Sequence, residues 1–206
     1  LGLIHVFGLG ARAETLDRVT TPALYAIGPL LALGFGASTM HLGNPLNAVN
    51  AIRHVGTSWL SREIVLGMVF LGLGALFALL QWFRIGGHRL RQLVAIAAAV
   101  AGAALVYAIS QVYSLSTVPA WATYHTPVRF FITALLLGGL AVGAALVIAA
   151  NVRARRGKAL DEAGTDLVTR SVRGIAFGAI LALGLKFIGL PAYMGYLGTH
   201  PSPAAA

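Results

Sequence analysis

Two short polar stretches in an otherwise apolar chain hold the groups able to handle protons. The first is Met40-His41-Leu42-Gly43-Asn44-Pro45, followed by Ser58-Trp59-Leu60-Ser61-Arg62-Glu63. An imidazole titrates near neutrality, at about 6.5, and a carboxylate nearby can take up or relay what it releases. The second stretch runs from Gln111 and Tyr113 through Thr117-Val118-Pro119-Ala120-Trp121 to Thr126-Pro127. If both stretches meet at one end of a bundle, they form a shallow amphipathic pocket. Such a pocket suits a quinone, whose ring and tail are apolar and whose two oxygens need hydrogen bonds and protons.

Each residue also has a plainer role. A lone His at a helix end is commonly an interfacial polar side chain, and Trp and Tyr form belts at membrane surfaces. Glu63 would be favoured in the first turn of a helix by the macrodipole, with Ser58 or Ser61 as the cap. Against this, ionisable groups at membrane depth are costly and are usually placed for proton or ligand handling. Pro119 and Pro127 would hold the second loop as an irregular lid, with Thr126 capping the next helix and Pro127 at its first position.

The elements that must position these groups are membrane helices. Of 206 residues, 58% are hydrophobic and only 10% charged, against roughly 25% charged in soluble domains. A soluble globule and a disordered chain are therefore excluded. Spans of about 20 residues, or roughly 30 Å of helix, cover 22–42, 64–83, 93–112 and 130–150. A further span at 174–197 contains Lys186 and Pro191, and 1–10 reads as the stump of a longer helix. The expected fold is an all-α polytopic bundle forming one membrane-integral domain, with antiparallel neighbours joined by short linkers. Glycines at 67, 72, 74, 138, 139 and 143 are expected to form small-residue packing faces, and Ala95–Ala104 is a small-residue helix.

Charge sets the orientation. Eleven of the 15 Lys and Arg fall on the side that holds Arg18, Arg84 to Arg91 and Arg153 to Arg173; Arg53, Arg62 and Arg129 fall on the other. The first side is expected to be cytoplasmic and the polar loops 43–62 and 113–129 extracytoplasmic. Glu63 is the only acid on that second side. In the 46–54 linker, Leu46, Val49, Ile52 and Arg53 share one rough helical face while Asn47, Asn50 and His54 share another, as in an interfacial helix.

The net charge of +9 is thus membrane orientation, and no nucleic-acid partner is expected. Without cysteine the chain cannot ligate an iron–sulfur cluster, so any such cluster belongs to a partner. Haem would need paired histidines on facing helices, and the six here are scattered; neither haem nor a metal site is expected. A solute or ion transporter would show ionisable groups or broken helices at mid-membrane, and only Lys186 and Pro191 offer that.

Met-His-Leu-Gly-Asn-Pro at 40–45, Ser-Trp-Leu-Ser-Arg-Glu-Ile at 58–64, Tyr113 with Thr-Val-Pro-Ala-Trp at 117–121, Thr-Pro at 126–127 and Phe130-Phe131 resemble the membrane anchor subunit of the dimethyl sulfoxide reductase family. The resemblance runs in order over roughly 24–133, with a generic match beyond Leu140. It implies an eight-helix bundle, of which most of the first helix and the last two would be missing here. It also implies a bacterial or archaeal inner-membrane anchor that binds quinol, menaquinol included, and carries no haem. Such an anchor docks a ferredoxin-like iron–sulfur subunit that serves a molybdopterin catalytic subunit. By the resemblance, His41 and Glu63 handle protons, and His41, Leu42, Gly43, Pro45, Glu63, Gln111, Tyr113 and Trp121 contact the quinone. Relatives often carry Arg where this chain has Gln111, which replaces any salt bridge there with a hydrogen bond. The nearest alternative is a polysulfide-reductase-type quinone-reactive anchor.

Overall fold

The computed structural model describes residues 13–40, 50 and 52–199. Among these it is all-helical: α1 Ala13–Met40, α2 Trp59–Trp82, α3 His88–Tyr113, α4 His125–Arg155 and α5 Glu162–Thr199, with a 3₁₀ turn at Ile52–His54 before α2. Helices α2 to α5 are each long and apolar enough to cross a bilayer. The chain forms a polytopic bundle. The stump at 1–10 and most of the expected interfacial helix at 46–54 lie outside the described residues.

Every helix begins before the span read from hydropathy, because the chain is already helical before it enters the hydrocarbon. The largest difference is at α5, whose 38 residues make about 57 Å of helix. Its start is set by Asp161, whose Oδ1 accepts the Gly164 N–H at 2.9 Å. It then runs unbroken through Pro191, so the discontinuity that a transporter would need is absent from this helix. Helix α1 begins at Ala13, well before its expected span. The added turns are held by packing, with Leu16 and Val19 buried against Leu146 of α4 and Leu167 of α5.

The antiparallel hairpin α2–α3 has the most extensive helix–helix contact, followed by the hairpin α4–α5; α1 packs against α2, α4 and α5. Phe77 and Leu80 of α2 meet Val94 and Ala95 of α3 near the connecting turn. Farther along, a Cβ at Gly102 would come within 3.0 Å of the Phe70 ring, so the small-residue stretch of α3 lets α2 approach. The expected glycine faces are only partly used: Gly139 and Gly143 receive Ile175, and Gly67 is buried, whereas a Cβ at Gly72, Gly74 or Gly138 would touch nothing within 4 Å. Outward surfaces are strongly apolar, as Ile188 at 78% exposed and Phe177 at 65% show, which suits contact with lipid.

One end of the bundle is tied by charge. Arg91 of α3 pairs with Asp17 of α1 at 2.9 Å, and Arg18 pairs with Asp161 at 3.2 Å. Glu14 and Asp17 lie in the first turns of α1. The described parts of the polar loops expected to carry chemistry, 52–58 and 114–124, lie at the other end.

Candidate functional site

At that second end, the local sequence decides where α2 starts. Ser58 is extended (φ −114°, ψ 126°) and its Oγ accepts from the Ser61 N–H, so Trp59 is the first helical residue. Glu63 is then the fifth residue and not in the first turn, which removes most of the dipole explanation for it, because that effect fades beyond one turn. Its side chain is half-buried. The three ion pairs among the described residues are Arg18–Asp161, Arg91–Asp17 and Arg170–Asp166, and none involves Glu63.

The adjacent cation is committed elsewhere. Arg62 Nε donates to the Val55 carbonyl at 2.8 Å and Nη2 donates to the Gly56 carbonyl at 2.7 Å. Its guanidinium also lies 4.3 Å from the centre of the Trp59 ring. Arg62 thus binds the turn before α2 back onto the helix start and leaves the Glu63 carboxylate unneutralised.

Facing α2, the end of α3 supplies an aromatic wall. Trp59 meets Tyr107 edge-on with ring centres 5.7 Å apart. One turn beyond Tyr107 is Gln111, then Tyr113, whose ring lies 6.0 Å from Trp121 and 5.5 Å from Phe130. With the Phe70 ring of α2 packed against Gly102 of α3, the antiparallel register puts Glu63 within about one turn of Gln111.

The loop 114–124 is held by its own chemistry. The Thr126 hydroxyl donates to the Trp121 carbonyl at 2.7 Å, so Thr126 anchors the lid instead of capping α4. That helix starts at His125 after Tyr124, without a side-chain cap, and Pro127 is its third residue rather than its first. From α5, the Tyr196 hydroxyl donates to the Pro119 carbonyl at 2.6 Å and the Tyr193 hydroxyl to the Ala120 carbonyl at 3.4 Å.

Of the expected site residues, the structure brings Tyr113 and Trp121 into direct contact and sets Gln111 and Glu63 at the same end. His41, Leu42, Gly43 and Pro45 lie outside the described residues. Sequence reasoning passed over His125, which is only 8% exposed and is surrounded by Tyr124, Tyr193 and Tyr196 with ring centres 4.1, 5.4 and 6.5 Å away. Arg129 lies over Tyr193 at 4.4 Å. The available signal was the pair Tyr193 and Tyr196 after Pro191, spaced to face one side of a helix. Among the described residues no cluster of three or more His, Asp or Glu is arranged to hold a metal.

The family model of the DMSO reductase anchor subunit (DmsC) matches residues 3–165, well beyond the 24–133 of the motif resemblance. The sequence is 37% identical over 142 residues to the C subunit of the anaerobic dimethyl sulfoxide reductase of Escherichia coli, covering 68% of this chain and 49% of that protein. It is 34% identical over 155 residues to the anaerobic dimethyl sulfoxide reductase subunit YnfH of the same organism, covering 74% and 54%. With the C subunit of the Haemophilus influenzae enzyme it shares 35% over 147 residues, covering 71% and 52%. The chain thus spans about half the length of the curated relatives it matches. No solved structure matches it.

Proposed function

The chain belongs to the DMSO reductase anchor subunit family, and we propose on that premise that it oxidises quinol at the loop-bearing end of the bundle. Electrons pass to the iron–sulfur cluster of a ferredoxin-like partner docked on that face, and from there to a molybdopterin catalytic subunit. The observation that carries this reading is the half-buried, unpaired Glu63 at the same end as Gln111 and the Tyr113–Trp121–Phe130 wall.

Quinol oxidation releases two electrons and two protons, so the site must bind an apolar ring, hold its oxygens and receive protons. Tyr113 and Trp121 offer ring surface. The Gln111 amide both donates and accepts, so it serves a quinol hydroxyl or a quinone carbonyl equally well. His41, in the family motif, takes the first proton, and Glu63 accepts or relays one. With the base-rich end in the cytoplasm, these protons leave on the extracytoplasmic side of a bacterial or archaeal inner membrane. Because Arg62 is held by carbonyls and the Trp59 ring, the carboxylate keeps its capacity to receive a proton.

The test is purification of the native complex through this subunit. The complex is expected to contain molybdenum or tungsten and iron–sulfur clusters, and to show no b-type haem absorbance. Adding a reduced menaquinone analogue is expected to reduce the clusters, read by electron paramagnetic resonance. Clusters that stay oxidised with quinol yet reduce with dithionite would overturn the reading.

A further inference from the structure

A polar cavity lies at the opposite end from the proposed quinol site. About 670 Å³ in volume, it lies among the ends of α1, α2, α3 and α4 and is lined by four arginines, Arg18, Arg84, Arg91 and Arg153, against two carboxylates, Glu14 and Asp17. Arg18 and Arg91 are engaged with Asp161 and Asp17. Arg84 and Arg153 have no ion pair among the described residues, and Arg153 Nε is buried without a hydrogen-bond partner. Positive charge is left over inside a built recess.

Backbone conformation marks the same place. Helix α2 ends with the Ile85 N–H donating to the Leu80 carbonyl, a closure that needs the intervening residue in the left-handed region, where glycine fits best. The equivalent position at the end of α4 is glycine, Gly157, with φ 68°. At the end of α2 it is Arg84, with φ 54°, although Gly86 and Gly87 are close by. A strained residue kept where glycine would be easier points to a use for its side chain.

The surroundings identify the occupant. Trp82, Phe83 and Ile85 flank Arg84 and are 61%, 63% and 57% exposed, an apolar rim beside the charged cavity at the end of a spanning helix. We propose that this cavity binds the phosphate of one acidic phospholipid, such as phosphatidylglycerol, with Arg84 and Arg153 on the phosphate and the acyl chains along Trp82, Phe83 and Ile85. Basic recesses between membrane helices hold acidic headgroups by charge-assisted hydrogen bonds. The site is independent of the quinol reading.

The experiment takes the protein in its purified complex, strips bound lipid with detergent and follows binding by native mass spectrometry. Phosphatidylglycerol is expected to remain on the wild type at a ratio near one, with phosphatidylcholine lost. Arg84→Gly and Arg153→Gln should each weaken retention by about tenfold or more, as expected for losing a charged hydrogen bond. Arg155→Gln, at the same end but outside the cavity, should change it less than about twofold. Because glycine suits the left-handed backbone, Arg84→Gly is expected to melt no lower than the wild type, so misfolding would not explain its lost lipid. Inorganic phosphate at equal concentration should not displace the lipid; one-for-one displacement would assign the cavity to a soluble phosphate instead. Retention unchanged in both variants, or phosphatidylcholine held as well as phosphatidylglycerol, would overturn the proposal.

Discussion

Replacing Glu63 with Gln, or His41 with Ala, is expected to lower quinol-driven turnover of the assembled complex by about 10²–10⁴, the usual worth of general-base help. An artificial donor that reduces the partner clusters directly should still drive the catalytic subunit at near the normal rate. The reasoning starts from the proton count, since a quinol gives up both electrons only as both protons leave. In the proposed reaction Glu63 takes one of these protons, since Ser58 caps α2 ahead of Trp59 and Arg62 is turned back onto Val55 and Gly56, leaving the carboxylate without an ion pair. Glu63→Gln keeps shape and polarity, so a loss confined to the quinol reaction would report the missing proton acceptor. A variant that assembles and keeps quinol turnover within about twofold would make the carboxylate structural.

The largest stability effect is expected at the opposite end. Asp17 and Arg91 have side chains only 24% and 12% exposed. Arg91 Nη1 also donates to Gln81 Oε1 at 3.2 Å, while Gln81 Nε2 donates to Thr21 Oγ1 at 3.0 Å. The Thr21 hydroxyl in turn donates to the Asp17 carbonyl at 2.6 Å, closing a network across α1, α2 and α3. Asp17→Ala strands the Arg91 guanidinium in a mostly buried position, which costs about 3 kcal/mol. For a chain of this size that corresponds to a drop of roughly 6–12 °C in the melting temperature, read by thermal scanning in detergent. Asp17→Ala combined with Arg91→Met should recover much of the loss, since breaking a buried pair costs more than replacing it with apolar groups. If Asp17→Ala melts within about 1 °C of wild type, the network does not hold the helices together.

The bundle was legible because hydrophobic runs of bilayer length have few alternatives in lipid, where only intra-helical hydrogen bonds satisfy the backbone. Its helix ends were less so. Hydropathy marks where a helix leaves hydrocarbon, whereas the Ser58 and Asp161 caps mark where the helix starts, several residues away. The Tyr113–Trp121 contact was foreseeable from two aromatic residues bracketing a short loop. The part played by Tyr193 and Tyr196 was not, because their partners are the backbone carbonyls of Pro119 and Ala120, more than 70 residues earlier. The spacing of Tyr193 and Tyr196 marks an aromatic helix face, but nothing in either segment identifies the distant carbonyls it meets. His125 was passed over for a related reason: its burial comes from α5, which periodicity around residue 125 does not reveal. The arginine ties at the base-rich end were hidden inside a charge count that explained orientation alone.

The claim that quinol is handled between α2, α3 and the 114–124 loop is tested most directly by photolabelling. A photoreactive menaquinol analogue bound to the native complex, irradiated and mapped by peptide mass spectrometry, is expected to mark residues 59–63 and 111–121, with labelling suppressed by unlabelled menaquinol. Suppressible label confined to the opposite end, around Thr21, Gln81 and Arg153, would contradict the account.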